Sequence, residues 1–222
     1  MPAGVVGICS GDTPRFTEFY HAFMQLQTPP GWELKWERGI SIAKNRNNIV
    51  EYALSKPEME YVWFMDDDHV FEPDILLKLL ARDVDIVSPL YARRLPLFLP
   101  HYYTYMDPEC SHGYLVKCSA WEEMPREGIH EVLAVAGGGL LIKRKVLETM
   151  GFPWFTLGKY KPDGIHEDTW FSQKAREAGF KLYIDVENCL GHLTQGAVWP
   201  KPGYGVELKF GEFTLPVEIK RG

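Results

Sequence analysis

Short apolar runs alternate with amphipathic stretches along most of this sequence. The runs 5–9 and 61–65 are continuous and apolar, as expected of strands buried inside a sheet, and 85–90 predicts a third strand. Apolar residues recur at helical spacing in 15–27 and 41–55, which predicts amphipathic helices between the strands. This alternation predicts an α/β fold with a mostly parallel central sheet that is flanked by helices.

The same alternation continues towards the end of the chain. It predicts helices over 73–81, 144–150 and 168–178, and strands over 140–142 and 181–186. Gly179 follows the last of these helices, and glycine is a residue that commonly ends a helix.

Two segments depart from the alternating pattern. Residues 93–131 are rich in Pro, Tyr, His and charge, and predict a small antiparallel insertion, a kind of segment that often carries a binding surface. The aromatic residues of this insertion either stack on the rings of a ligand or fill a local core. Residues 200–222 predict an arm or an edge hairpin that follows a single domain over 1–199.

Charge and composition narrow the classes of function. The 222 residues include 24 Lys+Arg and 30 Asp+Glu, which gives a formal charge of −6 and disfavours a strongly basic nucleic-acid binder. The longest run without polar side chains, 132–142, is too short to span a bilayer. No cysteine pair has C-x-x-C spacing, and pairing between Cys110 and Cys118 stays open. A cytoplasmic protein is expected, in the host cytoplasm if a virus encodes it.

The strongest chemical signal is a run of three aspartates. Asp66, Asp67 and Asp68 follow the apolar strand 61–65 directly, so they are expected at the carboxyl edge of the sheet, where ligands bind in open α/β folds. Side chains alternate along an extended chain, so Asp66 and Asp68 are expected on one side. Two carboxylates there call for a cation such as Mg²⁺ or Mn²⁺, although a solvated turn has the same composition.

Two further motifs point to the same edge. Glu167 and Asp168 begin the helix 168–178, where a carboxylate either caps the helix or acts as a general base beside a metal site. His192 follows the last predicted central strand and is a candidate metal ligand.

Arg46 lies in the first turns of its helix, where the helix dipole opposes a cation. Either solvation or an anionic partner is therefore expected, and the anionic partner is a diphosphate, which suits guanidinium geometry, or the carboxylate of an ordinary surface ion pair.

The order of these motifs resembles the glycosyltransferase family 2-like enzymes of GT-A fold, in their small soluble viral or bacterial form. The resemblance runs from Val5 to His192. The motifs that carry it are Asp66-Asp67-Asp68 as the D-x-D element, Arg46-Asn47 as the R-N pair, Gly137-Gly138-Gly139 as the glycine-rich segment, Glu167-Asp168 as the E-D motif, and His192 as the late histidine.

The resemblance implies a nucleotide-sugar donor, with Mn²⁺ or Mg²⁺ bound to its diphosphate. Among nucleotide sugars, a UDP-sugar is the expected donor. The resemblance also implies that Asp68 and His192 ligate the metal, and that Asp66 contacts the metal, its water shell or the ribose. Asp168 is implied as the catalytic base, with Glu167 beside it. The implied donor-binding residues are Asp12, which would contact the base, together with Arg46, Asn47, Asp66, Asp67 and Gly138.

The acceptor and the reaction class remain open at this point. The acceptor is expected to be a hydroxyl on a glycan, a protein or a modified nucleic-acid base, and the insertion 93–131 is expected to lie on the acceptor side. A sugar-nucleotide nucleotidyltransferase is one alternative, although residues 4–15 match its glycine-rich loop poorly. A non-catalytic carbohydrate-binding or metal-binding module is the other.

Overall fold

The computed structural model describes residues 2–11, 16–94, 98–106, 116–118, 121–157, 166–194, 197–201, 205–210 and 213–217. The strands in these ranges are β1 (Ala3–Ser10), β2 (Trp32–Arg38), β3 (Met59–Asp66), β4 (His69–Val70), β5 (Ile86–Leu90), β6 (Tyr102–Met106), β7 (Val116–Cys118), β8 (Ile129–Val132), β9 (Ala134–Val135), β10 (Leu141–Lys143), β11 (Leu182–Cys189), β12 (Gly191–Leu193), β13 (Ala197–Lys201), β14 (Gly205–Phe210) and β15 (Phe213–Val217). The helices are α1 (Thr17–Met24), α2 (Ile42–Leu54), α3 (Ile75–Ala81), α4 (Arg144–Met150) and α5 (Glu167–Glu177).

Seven strands form the central sheet, in the order β2-β1-β3-β10-β5-β11-β8. β1 pairs in parallel with β2 and β3, and β5 pairs in parallel with β11, whereas β10 and β8 run antiparallel to their neighbours. The predicted mostly parallel α/β fold is therefore confirmed. β1 and β3 are buried along most of their length, which explains why their sequences are continuous apolar runs.

Local sequence signals explain where the helices near the sheet edge begin and end. Ser41 caps α2, because its hydroxyl accepts a hydrogen bond from the backbone N–H of Lys44 at 3.3 Å. Glu167 and Asp168 occupy the first turn of α5, where the helix dipole stabilises carboxylates. Gly179, with a φ of +88°, follows α5 in the left-handed conformation that ends many helices.

A second sheet has the order β15-β14-β13-β12-β4, and the sequence predicts it only in part. β14 and β15 pair antiparallel after residue 200, and the pairing continues through β13 and β12 to β4. Val198 and Val206 of this sheet are buried in the same apolar core as β1 and β3. The pairing of β12 with β4 sets His192 opposite His69.

A third, three-stranded antiparallel sheet, β7-β6-β9, contains two strands of the segment 93–131. The prediction of a small antiparallel insertion is therefore confirmed. Tyr102, Tyr103 and Trp121 are buried, so these aromatic side chains pack in the core.

Two of the predictions fall on residues outside the described ranges, namely Asp12 as the base contact and Cys110 in the open cysteine pair. Among the helices of the described ranges, none combines the length and the apolar character needed to cross a bilayer.

Candidate functional site

A carboxylate and two imidazoles meet where β3 ends and the second sheet begins. The donor atoms of Asp68, His69 and His192 all lie within 4.8 Å of one another. Asp68 Oδ1 lies 3.3 Å from His69 Nδ1, and Asp68 Oδ2 lies 3.5 Å from His192 Nε2. The two imidazole rings stack with their centroids 4.6 Å apart. We refer to these three residues as the Asp-His-His cluster.

The hydrogen bond of His192 defines which ring nitrogen faces the cluster. His192 Nδ1 lies 2.8 Å from the carbonyl oxygen of Ala92, which can only accept, so Nδ1 carries a proton. In the neutral ring, Nε2 then presents a lone pair to Asp68 Oδ2. Two acceptors that face each other at 3.5 Å become a favourable arrangement when a proton or a metal ion lies between them.

Unsatisfied polar atoms point to the same conclusion. Asp68 Oδ1 and both ring nitrogens of His69 are buried without a hydrogen-bond partner among the described residues. Burial and the neighbouring His192 lower the pKa of His69 to about 3, so this ring is neutral and able to ligate a metal. The cluster therefore fits a divalent cation, and two imidazole donors suit a first-row transition metal better than Mg²⁺.

Two further residues, Arg94 and Tyr91, contact the cluster. The guanidinium of Arg94 lies 3.1 Å from Asp68 Oδ2. The ring of Tyr91 packs edge-on against both His69 and His192. Burial opposes ionisation of Asp68, but His192, His69 and Arg94 together hold the pKa of its carboxyl below the ordinary value.

Gly138 connects the glycine-rich segment to the cluster. Its backbone N–H donates to Tyr91 Oη at 3.1 Å. A Cβ at this position would lie 2.5 Å from Cε1 of His69, so only glycine lets the segment pass this close to the imidazole. Contact between Gly138 and a donor stays a prediction.

Arg46 joins the D-x-D element to the E-D motif. Its Nη2 donates to both carboxylate oxygens of Asp66 at 3.0 and 3.2 Å, and its Nε lies 3.4 Å from Glu167 Oε1. Its Nη1 donates to the carbonyl oxygen of Gly137 at 3.0 Å. The residue is 1% exposed, so the ion pair anticipated on the surface is present but buried.

Charge compensation explains how a buried guanidinium is tolerated. Burial disfavours the cation, but Asp66 and then Cys9, Glu167 and Asp168 raise the pKa of Arg46 above its ordinary value. Arg46 therefore remains charged and fixes the carboxylate of Asp66 by bonding both of its oxygens. Direct or water-mediated contact of Asp66 with a metal stays a prediction.

Asp168 is a buried carboxyl at the N-terminus of α5. Its Oδ2 accepts from the N–H of Gly137 at 3.3 Å, and its Oδ1 accepts from the N–H of Thr169 at 2.7 Å. Burial and the adjacent Glu167 raise its pKa to about 6, against the lowering effect of Arg46. A carboxyl with such a pKa is ionised at neutral pH and is a stronger base than an ordinary aspartate.

The remaining predicted residues have mixed surroundings. Asn47 uses its side chain on the backbone of the loop after α4: its Nδ2 donates to Phe155 O, and its Oδ1 accepts from the N–H groups of Trp154 and Phe155. The side chain of Asn47 thus joins α2 to the loop after α4. Donor binding by Asn47 and Asp67 stays a prediction. Asp67 lies in the turn between β3 and β4.

His69 is the functional candidate that the sequence analysis missed. It directly follows Asp68, and its nearness to the aspartates was the available signal. Its role depends on the pairing of β4 with β12, which two-residue and three-residue strands do not reveal in a sequence.

A large cavity lined by described residues lies elsewhere. About 660 Å³ in volume, it lies between β8 and the C-terminal end of α5, beside residues such as Glu131, Gln173, Arg176 and Lys181. Its rim carries the ion pair of Lys181 with Glu131, and it does not include any residue of the Asp-His-His cluster. The chemistry of the donor atoms, rather than cavity size, therefore identifies the candidate site.

Comparisons with known proteins concern the fold. No protein-family model matches the sequence, and no curated protein sequence matches it significantly. The crystal structure of A197 from STIV matches with a TM-score of 0.61 and 17% identity, over 98% of both chains. The crystal structure of S. aureus TarS matches with a TM-score of 0.50 and 14% identity, over 87% of this chain and 37% of that one. Both neighbours are of the glycosyltransferase type, so the fold is glycosyltransferase-like.

Proposed function

We propose that this chain is a metal-dependent glycosyltransferase that moves a sugar from a nucleotide-diphosphate sugar to a hydroxyl acceptor. The observation that carries the proposal is the Asp-His-His cluster, in which a lone pair and unsatisfied donor atoms converge. The glycosyltransferase-like fold supports the same reaction class. UDP-sugars are the first donors to test.

In this proposal Asp68, His69 and His192 hold the cation, with Mn²⁺ preferred to Mg²⁺ because of the two imidazoles. When bound, the cation supplies Lewis-acid stabilisation of the leaving diphosphate. Ala92 fixes the tautomer of His192, and Tyr91 packs both rings in place. The donor groups are thus oriented before any ligand arrives, which lowers the cost of binding.

Asp168 is the proposed general base of an inverting transfer. Its carboxylate is held by the backbone N–H groups of Gly137 and Thr169. It takes the proton from the attacking hydroxyl as the bond between the donor sugar and the diphosphate breaks. The segment 137–138 contacts both Asp168 and His69, so it fixes the position of the proposed base relative to the cluster.

Arg46 is a positioning residue in this proposal. It binds Asp66, Gly137 and Glu167, so it fixes the aspartate run relative to the first turn of α5. A donor phosphate as a further partner of Arg46, and a ribose as a partner of Asp66, are part of the proposal. The acceptor is a glycan, a protein or a modified nucleic-acid base.

The test is turnover of a panel of nucleotide sugars in Mn²⁺, Mg²⁺ or EDTA, read as released nucleoside diphosphate. The wild-type protein is expected to release it with the metal and to stop with EDTA. Asp68→Asn is expected to slow release by at least roughly 100-fold, because it removes the anionic ligand. Asp74→Asn is the matched control, since Asp74 is exposed and its carboxylate pairs with Lys78 on α3.

The same panel separates the two alternatives. Release of pyrophosphate from a nucleoside triphosphate and a sugar phosphate would identify a nucleotidyltransferase. Binding of metal and sugar without turnover of any donor would identify a non-catalytic module. Either result would overturn the proposed transfer reaction.

A further inference from the structure

The carboxylate of Asp68 forms an ion pair with the guanidinium of Arg94 on the side where a metal would bind. Arg94 Nη1 lies 3.1 Å from Asp68 Oδ2. This is the same oxygen that faces the lone pair of His192 Nε2 at 3.5 Å. The guanidinium and a metal ion held by His192 therefore compete for one carboxylate oxygen.

The pair is built so that the guanidinium can leave. The Arg94 side chain is 45% exposed, against 22% for that of Asp68, and half-exposed ion pairs contribute little net stability. The second contact of Arg94 Nη1 is a long one, 3.5 Å to the carbonyl oxygen of Leu193. By contrast, Asp68 itself is fixed, because its carbonyl oxygen accepts from the N–H of Leu193 at 2.7 Å.

A divalent cation on Asp68 changes the electrostatics around Arg94. The metal then neutralises the carboxylate, and the double positive charge of the metal ion repels the guanidinium. An anion that bridges the metal restores a favourable partner, and a diphosphate offers oxygens in the geometry that guanidinium prefers.

We propose that Arg94 is an internal counter-ion that pairs with Asp68 in the metal-free protein and moves to the donor diphosphate when the metal binds. The inference rests on the proposed function for its second half, the diphosphate. Its first half, the competition between Arg94 and a metal, rests only on the geometry around Asp68. The two halves predict opposite effects of removing the Arg94 charge: tighter binding of the metal and weaker binding of the diphosphate.

The first experiment measures the Kd of Mn²⁺ alone by calorimetry. Arg94→Gln removes the competing charge, so Mn²⁺ is expected to bind about 5- to 10-fold more tightly than to the wild type. Arg94→Lys keeps the charge and is expected within about 2-fold of the wild type. Arg93→Gln makes the same change in net charge one residue earlier, and is expected to alter the Kd less than Arg94→Gln.

The second experiment measures the Kd of UDP and of GDP at saturating Mn²⁺. Arg94→Gln is expected to weaken binding of the nucleotide about 10-fold, because a charge-assisted contact to the diphosphate is lost. The nucleotide Kd of Arg94→Lys is expected to lie between those of Arg94→Gln and the wild type, since lysine offers charge without the bidentate geometry of arginine. If Arg94 had a purely structural role, Arg94→Gln would bind both Mn²⁺ and the nucleotide more weakly.

The outcomes separate this inference from the proposed function. An unchanged or weaker Mn²⁺ Kd in Arg94→Gln overturns the counter-ion. Tighter Mn²⁺ with an unchanged nucleotide Kd overturns the transfer to the diphosphate. The wild type could bind Mn²⁺ but bind neither UDP nor GDP and turn over no donor. In that case the proposed function fails, and so does the move of Arg94 to a diphosphate. The Mn²⁺ Kd of Arg94→Gln still tests whether Arg94 is the counter-ion of Asp68.

Discussion

Asp168 is the side chain to which the proposed reaction assigns the acid–base step. Its pKa is raised to about 6 by burial and by Glu167, whereas an unfolded chain gives its ordinary value of about 3.9. Between these two values the folded protein binds more protons than the unfolded chain. The free energy of unfolding therefore falls as pH rises from about 4 to about 6. The loss of stability caused by the ionised Asp168 reaches its full value above the pKa of Asp168 in the folded protein.

Asp168→Asn is expected to remove the part of this pH dependence that comes from Asp168, whereas Asp66, whose pKa burial also raises to about 6, contributes equally in wild type and variant. From pH 4 to pH 7, the free energy of unfolding of Asp168→Asn should rise relative to the wild type by about 2–3 kcal/mol, because the buried charge no longer forms. The measurement is urea denaturation across this pH range. Transfer activity of the variant should be lost throughout, while wild-type kcat/KM should rise with pH through about 6 as the base ionises.

Glu177→Gln is the control for this prediction, because Glu177 is an exposed carboxylate at the other end of α5. Its stability difference from the wild type should stay nearly constant over the same pH range. A flat difference for Asp168→Asn as well would show that Asp168 titrates normally, and it would remove the basis for assigning it as the base.

Arg46 illustrates how far residue types predict a site. Its place in the first turns of α2 indicated an anionic partner, and that expectation is met by Asp66 and Glu167. The identity of the partners was beyond the sequence, because Glu167 is 121 residues away from Arg46. Such contacts depend on how β3 and α5 are assembled, and a spacing pattern contains no information about that assembly.

At the scale of elements, the turn between β9 and β10 matters most. Gly137 and Gly138 pass between the Arg46 guanidinium and the His69 ring, and a Cβ would lie 2.4 Å from Arg46 Nη2 or 2.5 Å from His69 Cε1. This turn therefore sets the distance between the buried ion pairs and the Asp-His-His cluster.

Gly138→Ala is expected to weaken Mn²⁺ binding at least roughly 10-fold. The added methyl group has to displace His69, which is 1% exposed and packed against Tyr91 and His192, and a displaced ligand no longer meets the geometry of the metal. Calorimetry with Mn²⁺ measures the change. Gly39→Ala, whose Cβ would lie 3.2 Å from Asn45 Oδ1, should bind Mn²⁺ like the wild type; equal Kd values for Gly138→Ala and wild type would contradict the assignment of His69.

Long and strongly patterned elements were predictable, and short ones were not. The predicted helix over 41–55 agrees with α2, and the predicted helix over 144–150 agrees with α4. β4 has two residues and β12 has three, too few for a period of two to be recognised. Both strands carry a histidine of the cluster, so the part of the site that depended on them could not be assembled from sequence.

At the scale of the whole molecule, the second sheet is part of the main body. Val198 and Val206 lie in the same core cluster as Val62 and Phe64 of β3. β13 also packs closely on β12, since a Cβ at Gly191 would lie 2.4 Å from Cε3 of Trp199. The support of His192 therefore extends from the core through β14 and β13 to β12.

Val206→Ala tests whether this support is cooperative with the rest of the fold. Val206 is 2% exposed, so the loss of two methyl groups should lower the free energy of unfolding by roughly 1–3 kcal/mol. Because the sheets share a core, tryptophan fluorescence and far-UV circular dichroism should report one coincident transition. Leu34→Ala on β2, where the side chain is 49% exposed, should cost less than about 1 kcal/mol. A separate early transition, or no loss in Val206→Ala, would mean that residues after 200 form an independent arm and that His192 is held without them.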